Sequence, residues 1–417
     1  MNRKWTYALY GMPAFGLSVV GIPLYIYLPT FYTLELGMDV GLVGLIVLMA
    51  RLLDMLFDPA IGYVSDRLNT PFGKRKPWIV LGSLVLLVGY YGLIHPPKES
   101  SLGLWLMLFS MLTYVGWSTI SVPYMALSAE ISKAYHDKSF IASGREIMGI
   151  LGMLGALLLP YIGGIAHSPS QTLDALYTLL LISLPLGVML LIFGVHEHPH
   201  PPSQVSLRDT LPLLWHSNAF YLIVGYLLNA LANAIPSTLF LYFVAFILQD
   251  KEQSGILLML YFASGILGLP FWLWLSLKIG KQKAWIASML FCSLSFLYVP
   301  FLGAGDTMVF ALIVLASGLC LGADLTLSSS LQADLAQSYE KANTPLSGIL
   351  FGLWGMCTKL SLALGVGISF GILALLGFES TSPNPASLLG ISLMYGLLPI
   401  FLKLIAIVFI QKVHTIN

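Results

Sequence analysis

The chain has 417 residues, of which 57% are hydrophobic and only 9% are charged, with a formal net charge of +1 at pH 7. A soluble domain has about a quarter of its residues charged, so this composition excludes an ordinary soluble globular protein. The near-neutral net charge gives no indication of a nucleic-acid partner. The sequence therefore predicts a polytopic membrane protein.

The apolar residues fall in runs long enough to cross a membrane. A hydrocarbon core about 30 Å thick requires about 20 apolar residues in a helix. We therefore predict an all-α membrane protein with twelve transmembrane helices, so that both termini lie on one side. The predicted spans are 5–32, 40–65, 78–95, 102–128, 139–163, 174–195, 215–248, 252–276, 284–303, 306–332, 344–376 and 389–411.

The positions of the cations predict the orientation. Loops on the side of the termini hold fourteen Lys or Arg residues, whereas the opposite loops hold only Lys98 and Lys251. Because cytoplasmic loops carry the excess of Lys and Arg, both termini are predicted to face the cytosol. The first residues, MNRKWTYALYG, lack the pattern of a cleaved signal peptide and are interpreted as the start of the first helix. A bacterial inner membrane is the expected location.

One polar break interrupts the series of spans. Residues 195–209 contain three His and three Pro, which could suggest a metal-binding tract. An extended, solvated linker stiffened by proline is the favoured interpretation. We predict an N-terminal six-helix bundle at 1–195, a cytosolic linker at 196–209 and a C-terminal six-helix bundle at 210–417.

The two predicted bundles share short motifs. Pro59–Trp78 and Pro270–Trp285 both place a Ser six residues after the Pro, and both continue with G-K-x-K-x-W. The fourth span of each bundle ends in Ala followed by an acid, Glu130 or Asp334. Such internal repeats predict a substrate site between the bundles, near the middle of the bilayer.

Three charges interrupt the second span. Arg51, Asp54 and Asp58 are spaced so that they lie within about 60° on one helical face. A charge at the membrane centre costs roughly 3 kcal/mol, so this face must look into protein or a watery cavity. Two crowded carboxylates repel each other, and an arriving Na⁺ or H⁺ relieves that repulsion. We predict a cation site at Asp54 and Asp58; a buried ion pair that holds helices together is the alternative.

The cytosolic end of this span and the loop after it combine small and charged residues. Small residues allow helices to pack closely, and opposite charges can hold helix ends together, so we predict a gate. A positive-inside anchor without a gating role is the alternative. The predicted gating residues, which include the acids that end spans four and ten, are Arg51, Gly62, Asp66, Arg67, Gly73, Lys74, Arg75, Glu130 and Asp334.

Further polar residues lie within or beside the apolar spans. Lys359 has apolar neighbours on both sides, so we assign it to coupling or substrate binding, as we do Asp324. Arg145 lies nearer a boundary, and a structural role is equally compatible with its position. Lys403 is assigned a structural or interfacial role, because a long side chain can reach the membrane surface.

Three aromatic residues lie in spans that also carry polar residues. This position makes Trp117, Tyr124 and Trp354 candidates for the wall of a substrate cavity. Packing between helices, or contact with lipid, is the alternative for each of them.

At this point the motifs resemble a known family. R-x-x-D-x-x-x-D-P at 51–59 and G-K-x-K-P-W at 73–78 are similar to sequences of the glycoside–pentoside–hexuronide:cation symporters, within the major facilitator superfamily. Further matches are V-P-Y at 122–124, G-A-D-L at 322–325, Q-A-D at 332–334 and F-G-L-W-G-x-x-T-K at 351–359. They occur in both halves of the chain and in the same order.

The resemblance implies a transporter of the major facilitator fold, built from two pseudo-symmetric six-helix bundles and working by alternating access. It also implies that Asp54 and Asp58 bind Na⁺, H⁺ or Li⁺. Lys359 corresponds to the family lysine that links the cation and substrate sites. Arg145 corresponds to a family arginine that lines the substrate cavity.

The chain departs from the galactoside-transporting members of this family. Ser18 and Ser121 stand where those members use acids to hold sugar hydroxyls, and Met125 stands where an aromatic ring stacks on the sugar. Ser118 stands where a threonine helps to bind sodium, and it keeps the hydroxyl group. The cation site is thus retained, whereas a galactoside pocket is not indicated.

The remaining charges favour an anionic or amphipathic substrate. A cavity that loses two acids but keeps an arginine and a lysine suits a carboxylate, sulfonate or phosphate group. The lysophospholipid symporters resemble the same family and also keep the paired acids with an arginine and a lysine. A hexuronide-like sugar and a lysolipid therefore both remain open.

We predict a secondary active transporter, a Na⁺- or H⁺-coupled symporter of a small sugar-like or anionic, amphipathic solute. A lysophospholipid-type symporter and a proton-driven efflux transporter are the alternatives. An enzyme would need a nucleophile with a base, or a metal cluster, within the spans, and a sensor or scaffold would need a large soluble domain; the sequence indicates neither. We expect no cofactor beyond the coupling ion and no metal beyond Na⁺ at the acid pair. The expected partners are the solute and membrane lipid, without nucleic acid, and the protein is expected to act as a monomer.

Overall fold

In the residues that the structure describes, the protein has six long helices before the polar break and six after it. The structure, a computed structural model, describes residues 3–67, 70, 72–97, 101–132, 135–165, 168–197, 218–341, 346–378 and 383–413. The first six helices are α1 (Arg3–Thr30), α2 (Val40–Arg67), α3 (Lys76–Ile94), α4 (Leu102–Ile131), α5 (Tyr135–Ile162) and α6 (Pro169–Gly194). The second six are α7 (Asn218–Tyr242), α8 (Ser254–Ile279), α9 (Lys281–Phe296), α10 (Thr307–Lys341), α11 (Ser347–Leu375) and α12 (Pro385–Gln411).

The first helix of each set ends in the same way. A π-helical turn, Phe31–Glu35, follows α1, and a second one, Phe243–Ile247, follows α7. Short 3₁₀ turns precede α8 at Lys251–Gln253 and follow α9 at Val299–Phe301. The matching π turns add a structural counterpart to the motifs that the two halves share.

Counted over the described residues alone, ten helices, α3 to α12, are long and apolar enough to cross a membrane. This result confirms the prediction of a multi-pass membrane protein made almost wholly of helix. Large apolar side chains are exposed along these helices, for example Leu104, Leu267 and Leu375. Such exposure is expected where lipid rather than water is the surrounding solvent.

The helix ends differ in places from the predicted spans. The span predicted to end at 332 continues as helix to Lys341 in α10, because residues 333–341 (ADLAQSYEK) contain no Pro or Gly and consist mainly of good helix formers. The helix predicted from 174 begins at Pro169, where the Ser168 hydroxyl accepts a hydrogen bond from the Gln171 N–H. Apolar length thus predicts the membrane crossing and not the whole helix.

The chain divides into two compact units. Unit 1 comprises residues 1–205 together with 336–356, and unit 2 comprises residues 206–335 together with 357–417. Unit 1 thus takes the end of α10 and the start of α11 from the second half of the sequence. The bundles at 1–195 and 210–417 stay a prediction, and the linker from residue 198 onward, with His198 and His200, lies outside the described residues.

Each unit has a tightly packed interior. In unit 1, α1 packs against α5 and α6, while α4 packs against α2 and α3. The α3–α4 contact depends on small residues, since a Cβ on Gly116 would lie 2.5 Å from the Leu86 backbone nitrogen. In unit 2, α12 packs against α7 and α9.

Candidate functional site

The two acids of α2 lie in the interior of unit 1. Asp54 is 6% exposed and Asp58 is 1% exposed. The Ser118 hydroxyl, on α4, donates a hydrogen bond of 2.9 Å to Asp54 Oδ1. The structure thereby brings together two of the three predicted cation ligands. Arg51, one turn before Asp54 on the same helix, is half-buried.

Asp58 fits against the start of α11 because glycines face it. A Cβ on Gly355 would lie 2.6 Å from Asp58 Oδ2, and a Cβ on Gly352 would lie 2.4 Å from the Asp58 backbone oxygen. Any larger side chain at these positions would displace the carboxylate or the helix. Carboxylate and hydroxyl oxygens are ligands that hard cations prefer. Asp54 and Ser118 are in contact, and Asp58 lies one turn further along α2, so these three side chains are candidates for binding a small cation or a proton.

One turn further along α2, the same two helices touch through their backbones. A Cβ on Gly62 would lie 2.2 Å from the Gly348 carbonyl oxygen, and a Cβ on Gly348 would lie 2.3 Å from the Gly62 carbonyl oxygen. The predicted close approach at Gly62 is therefore present, and its partner is the N-terminal turn of α11.

This contact gives a direct prediction. Gly62→Ala will lower the melting temperature of the purified protein, because the new methyl group overlaps a backbone oxygen that cannot move without shifting α11. Gly44→Ala on the same helix is the matched control, since a Cβ at Gly44 meets nothing within 4 Å. It should leave the melting temperature unchanged or raise it, because Ala favours helix over Gly by about 1 kcal/mol. Equal melting temperatures for the two variants would contradict the contact.

A buried charge cluster lies beyond this contact; we name Ser65, Asp66, Arg75, Glu130 and Ser347 the latch cluster. Arg75 is 0% exposed. Its guanidinium donates hydrogen bonds of 2.6 Å to Asp66, 3.0 Å to Glu130, 2.8 Å to Ser65 and 2.6 Å to Ser347. Arg75, which the sequence predicts to lie in a loop, is thus fully desolvated and donates hydrogen bonds to four side chains.

Asp66 also closes the N-terminus of α11. Its carboxylate accepts hydrogen bonds from the backbone N–H of Gly348 at 2.8 Å and of Ile349 at 3.0 Å. The first N–H groups of a helix lack partners within it and carry a partial positive charge, so a carboxylate stabilises them. Lys74 adds its ammonium 3.7 Å from Asp66 Oδ1. Asp66 therefore joins α2, the loop after it and α11.

A second acid, Glu197, binds the backbone at the start of α3. It was not identified from the sequence. The Glu197 carboxylate accepts hydrogen bonds from the backbone N–H of Lys74 at 2.5 Å, Arg75 at 2.6 Å and Lys76 at 3.3 Å. Burial raises the pKa of the Glu197 carboxyl above its ordinary value. Glu197, near the start of the predicted linker, is thus half-buried and bound to the start of α3.

Gly73 explains why Glu197 can approach so closely. Gly73 has a φ of +111°, and a Cβ there would lie 2.3 Å from Glu197 Oε2. Both its backbone conformation and its contact require glycine. Among the other predicted gating residues, Arg67 is half-buried and places its guanidinium 4.1 Å from the centre of the Tyr63 ring.

The matching loop of unit 2 forms a simpler pair. Lys281 in the G-K-x-K motif donates a hydrogen bond of 2.6 Å to Asp334, the acid in α10 that corresponds to Glu130. Lys281 is fully buried, whereas Lys283 in the same motif is exposed. The sequence repeat thus extends to a basic loop paired with the acid that follows the fourth span of each set.

Asp324 and Lys403 form a buried pair in unit 2. The Lys403 ammonium lies 3.4 Å from Asp324 Oδ2 and donates a hydrogen bond of 2.8 Å to Asn229 Oδ1. Asp324 also accepts hydrogen bonds of 2.8 Å from Asn233 and from the Trp285 ring nitrogen. Because Lys403 is 0% exposed, the interfacial alternative for it is wrong and the structural one fits.

The other predicted substrate residues of unit 1 occupy varied positions. The Arg145 guanidinium binds the carboxylate of its neighbour Glu146 on α5. Ser18 contacts α5, since a Cβ on Gly149 would lie 3.1 Å from its hydroxyl oxygen. Ser121 is half-buried.

The predicted aromatic wall residues differ in burial. Tyr124 is buried, with its ring 4.7 Å from that of Tyr10 and its hydroxyl donating to the Tyr10 carbonyl at 2.6 Å. Trp354 is also buried, whereas Trp117 is half-buried. A hydrogen bond to the main chain of α1 therefore accounts for the Tyr124 hydroxyl.

Lys359 belongs to unit 2 and is half-buried on α11. Its neighbour Thr358 shares a hydrogen bond of 2.7 Å with the Tyr226 hydroxyl of α7. Sequence reasoning also missed the buried Lys138, which donates a hydrogen bond of 2.7 Å to Gln337; both of these residues belong to unit 1. No local pattern marks Lys138, since its partner lies 199 residues away.

Curated relatives cover most of the chain. The inner membrane symporter YicJ of Escherichia coli is 24% identical over 98% of this chain and 91% of its own length. The sodium-dependent lysophosphatidylcholine symporter 1-A of Danio rerio is 21% identical over 90% of this chain and 79% of its own length. The glucuronide carrier protein homolog of Escherichia coli is 24% identical over 92% and 87%, respectively.

Solved structures share the fold. A bacterial homologue of the iron transporter ferroportin, in an outward-facing state, matches with a TM-score of 0.77 at 15% identity, over 99% of both chains. The fucose:proton symporter FucP of Escherichia coli matches with a TM-score of 0.72 at 12% identity, over 98% of both chains. At these identities the likeness establishes the major facilitator fold alone.

The family model described as MFS/sugar transport protein matches residues 9–414 of the chain. This match spans nearly the whole sequence and includes both sets of six helices. It agrees with the fold and with the family resemblance of the sequence motifs. The chain therefore belongs to the MFS/sugar transport protein family, and it is a secondary transporter of the major facilitator fold.

Proposed function

We propose that the protein is a cation-coupled symporter in which Asp54, Asp58 and Ser118 hold the coupling ion. The observation that carries the proposal is the buried acid pair of α2 with the Ser118 hydroxyl 2.9 Å from Asp54. Two buried carboxylates one turn apart on a helix repel each other when both are ionised. A bound cation removes that repulsion. Ion binding can therefore shift the equilibrium between the conformations of the transporter.

Na⁺ or H⁺ is the proposed coupling ion. The donor set supplies only oxygen atoms, which suits Na⁺, and either carboxylate can also accept a proton. The lysophosphatidylcholine symporter among the relatives is named as sodium-dependent, whereas FucP is named as a proton symporter. Because the sodium-dependent symporter is 21% identical to this chain and FucP only 12%, we propose to test Na⁺ first.

We assign the substrate to the anionic or amphipathic class. Ser18 and Ser121 occupy positions where galactoside-transporting relatives have acids, while the arginine and the lysine of the family motifs are kept as Arg145 and Lys359. The names of two relatives fit this class, since a glucuronide carries a carboxylate and lysophosphatidylcholine carries a phosphate. Both solutes carry an anionic group, and lysophosphatidylcholine also carries a quaternary ammonium group and an apolar chain.

We further propose that the latch cluster gates access. It joins α2 and the loop after it to the N-terminus of α11, the helix that also abuts Asp58 through Gly355. A change at the cation site can therefore reach the cluster along α2 and α11. In this scheme the protein works as a monomer in a bacterial inner membrane, with two six-helix bundles and with both termini and the latch cluster on the cytosolic side.

Uptake by proteoliposomes tests the proposal. The full-length protein is reconstituted, and radiolabelled glucuronate and a fluorescent lysophosphatidylcholine are offered in parallel under an inward Na⁺ gradient, an inward H⁺ gradient or neither. We expect one solute to accumulate under one of the gradients. Export driven by a proton gradient would instead establish the efflux alternative.

A second measurement does not depend on choosing the right solute. Na⁺ should raise the melting temperature of the purified protein in a saturable manner, because a ligand that binds only the folded state stabilises it. An equal concentration of choline chloride controls for ionic strength. If neither Na⁺ nor acidification changes the melting temperature and neither gradient drives uptake, the cation-site proposal is wrong.

A further inference from the structure

Unit 2 contains a cavity of about 260 Å³ between helices α7, α8, α9, α10 and α12. Most of its wall is apolar, and five aromatic rings contribute to it: Phe240, Tyr261, Phe262, Phe296 and Tyr395. An apolar cavity of about 150 Å³ in a protein interior stays dry and binds benzene. The larger space here accommodates about ten non-hydrogen atoms, the size of a two-ring aromatic molecule.

One side of the cavity is polar and centred on Asp324. Asp324 Oδ2 accepts hydrogen bonds from Asn233 at 2.8 Å and from Lys403 at 3.4 Å. Oδ1 accepts one hydrogen bond of 2.8 Å, from the Trp285 ring nitrogen. A carboxylate has about four acceptor positions, two on each oxygen, so Oδ1 has room for a second donor. Asp324 lines the cavity, so a donor bound there lies beside this carboxylate.

The charge balance restricts the occupant. Lys403 is fully buried and does not line the cavity, yet its ammonium neutralises the Asp324 charge. A cationic molecule would therefore bring a net positive charge into the interior of a membrane protein, which is costly. An anionic molecule would face the carboxylate directly, and the described residues that line the cavity include no cation. A neutral molecule meets neither penalty.

We propose that this cavity is a binding site for a neutral, mainly apolar molecule whose single hydroxyl or N–H group donates a hydrogen bond to Asp324 Oδ1. The aromatic wall contacts the apolar body of the molecule, and Asp324 selects for the donor. All residues of this site belong to unit 2, whereas Asp54, Asp58 and Ser118 belong to unit 1. The site is separate from the proposed cation site, and its existence does not depend on the proposed transport function.

A pair of probes that differ only in the donor tests the site. The neutral alcohol 2-naphthol fits the cavity and donates a hydrogen bond, while 2-methoxynaphthalene has the same rings but no donor. Binding is measured by fluorescence to the full-length protein in lipid nanodiscs, with empty nanodiscs subtracted. We expect saturable binding of 2-naphthol, and binding of the ether that is roughly tenfold weaker or more, the loss expected for one hydrogen bond to a charged group.

Variants locate the binding and identify the acceptor. Ser317→Phe fills the cavity from α10 and should abolish binding of both probes, and Leu321→Phe does the same from the next turn if the first variant fails to fold. Leu312→Phe on the same helix is the control, because Leu312 is 63% exposed and lies outside the cavity. It should bind 2-naphthol as the wild type does.

The double variant Asp324→Leu with Lys403→Met removes the charge pair without leaving either charge unpaired. It should bind the two probes equally well. Three outcomes would overturn the proposal: no saturable binding to the wild type, equal binding of both probes by the wild type, or unchanged binding in both cavity-filling variants.

Discussion

Replacing Asp58 by Asn will reduce cation-driven uptake to the background of empty liposomes, while the protein still folds and inserts. Asn has nearly the volume of Asp, so the contact with Gly355 is kept and only the charge is lost. A neutral amide at this depth should also cost less to insert than a carboxylate, for which insertion scales give roughly 3 kcal/mol at the membrane centre. Expression and melting temperature should therefore equal or exceed those of the wild type.

Variants of Asp54 and Ser118 compare the contributions of the other two proposed ligands to uptake. Asp54→Asn should abolish uptake as well, because it removes the other carboxylate. Ser118→Ala removes only one neutral oxygen donor and the hydrogen bond to Asp54. It should therefore weaken the apparent affinity for the coupling ion, with maximal uptake largely kept at a high ion concentration. This order distinguishes a cation site from a structural ion pair, in which loss of either charge would lower stability first.

The matched control is Asp174→Asn on α6. Its side chain is 57% exposed, and the same chemical change there leaves the interior untouched. Uptake at the wild-type rate is expected for this variant. If Asp58→Asn also transports at the wild-type rate under the same gradient, or if it no longer folds, the cation-site proposal loses its main support.

Replacing Arg75 by Gln will destabilise the protein strongly and open the latch cluster. The change leaves the buried carboxylates of Asp66 and Glu130 without the guanidinium that binds both. Removing one partner of a buried ion pair costs about 3–5 kcal/mol, because the remaining charge stays desolvated. A marked fall in melting temperature and a loss of uptake are the expected results.

Two further variants separate charge balance from loss of packing. Arg75→Gln combined with Glu130→Gln restores the net charge of the cluster and should recover part of the lost stability. Lys283→Gln changes the exposed cation of the matching loop in unit 2 and should have no effect on stability. A double variant no more stable than Arg75→Gln alone would show that charge balance does not hold the cluster together.

Testing the gating role requires a measurement of access to the cluster, separate from the melting temperature. Leu346 is buried directly before Ser347, so a Leu346→Cys probe, with the three native cysteines replaced by Ser, should react slowly with a maleimide. Adding Arg75→Gln should increase the rate by roughly tenfold or more, since each 1.4 kcal/mol moved in an opening equilibrium changes the open population about tenfold. The rate is measured below the melting temperature of the variant. An unchanged rate would contradict the gate.

Features that depend on one continuous segment of the chain could be predicted from the sequence. Asp54 and Asp58 are conspicuous because charges are rare in an apolar span, and the helices follow from the length of the apolar runs. Features that join distant segments could not be found in this way. Arg75 lies in a run of cations typical of a solvated loop, yet it is fully buried because Asp66, Glu130 and Ser347 surround it.

Two further residues show the same limit. Glu197 sits in a stretch rich in His and Pro, and only the fold brings it to the first turn of α3, more than 120 residues earlier in the chain. The sequence position of Lys403 is also compatible with a side chain at the membrane surface. Asp324, which compensates its charge, lies 79 residues away. Charge compensation of this kind depends on three-dimensional packing.

The inclusion of residues 336–356 in unit 1 has a consequence for dividing the gene. A fragment that stopped in the polar break would contain Asp66 but neither the Gly348 nor the Ile349 amide that its carboxylate binds. Its Arg75 would also lack the Ser347 hydroxyl. The amino-terminal half expressed alone would thus expose an ionised groove, and co-expression of the second fragment should protect it from proteolysis.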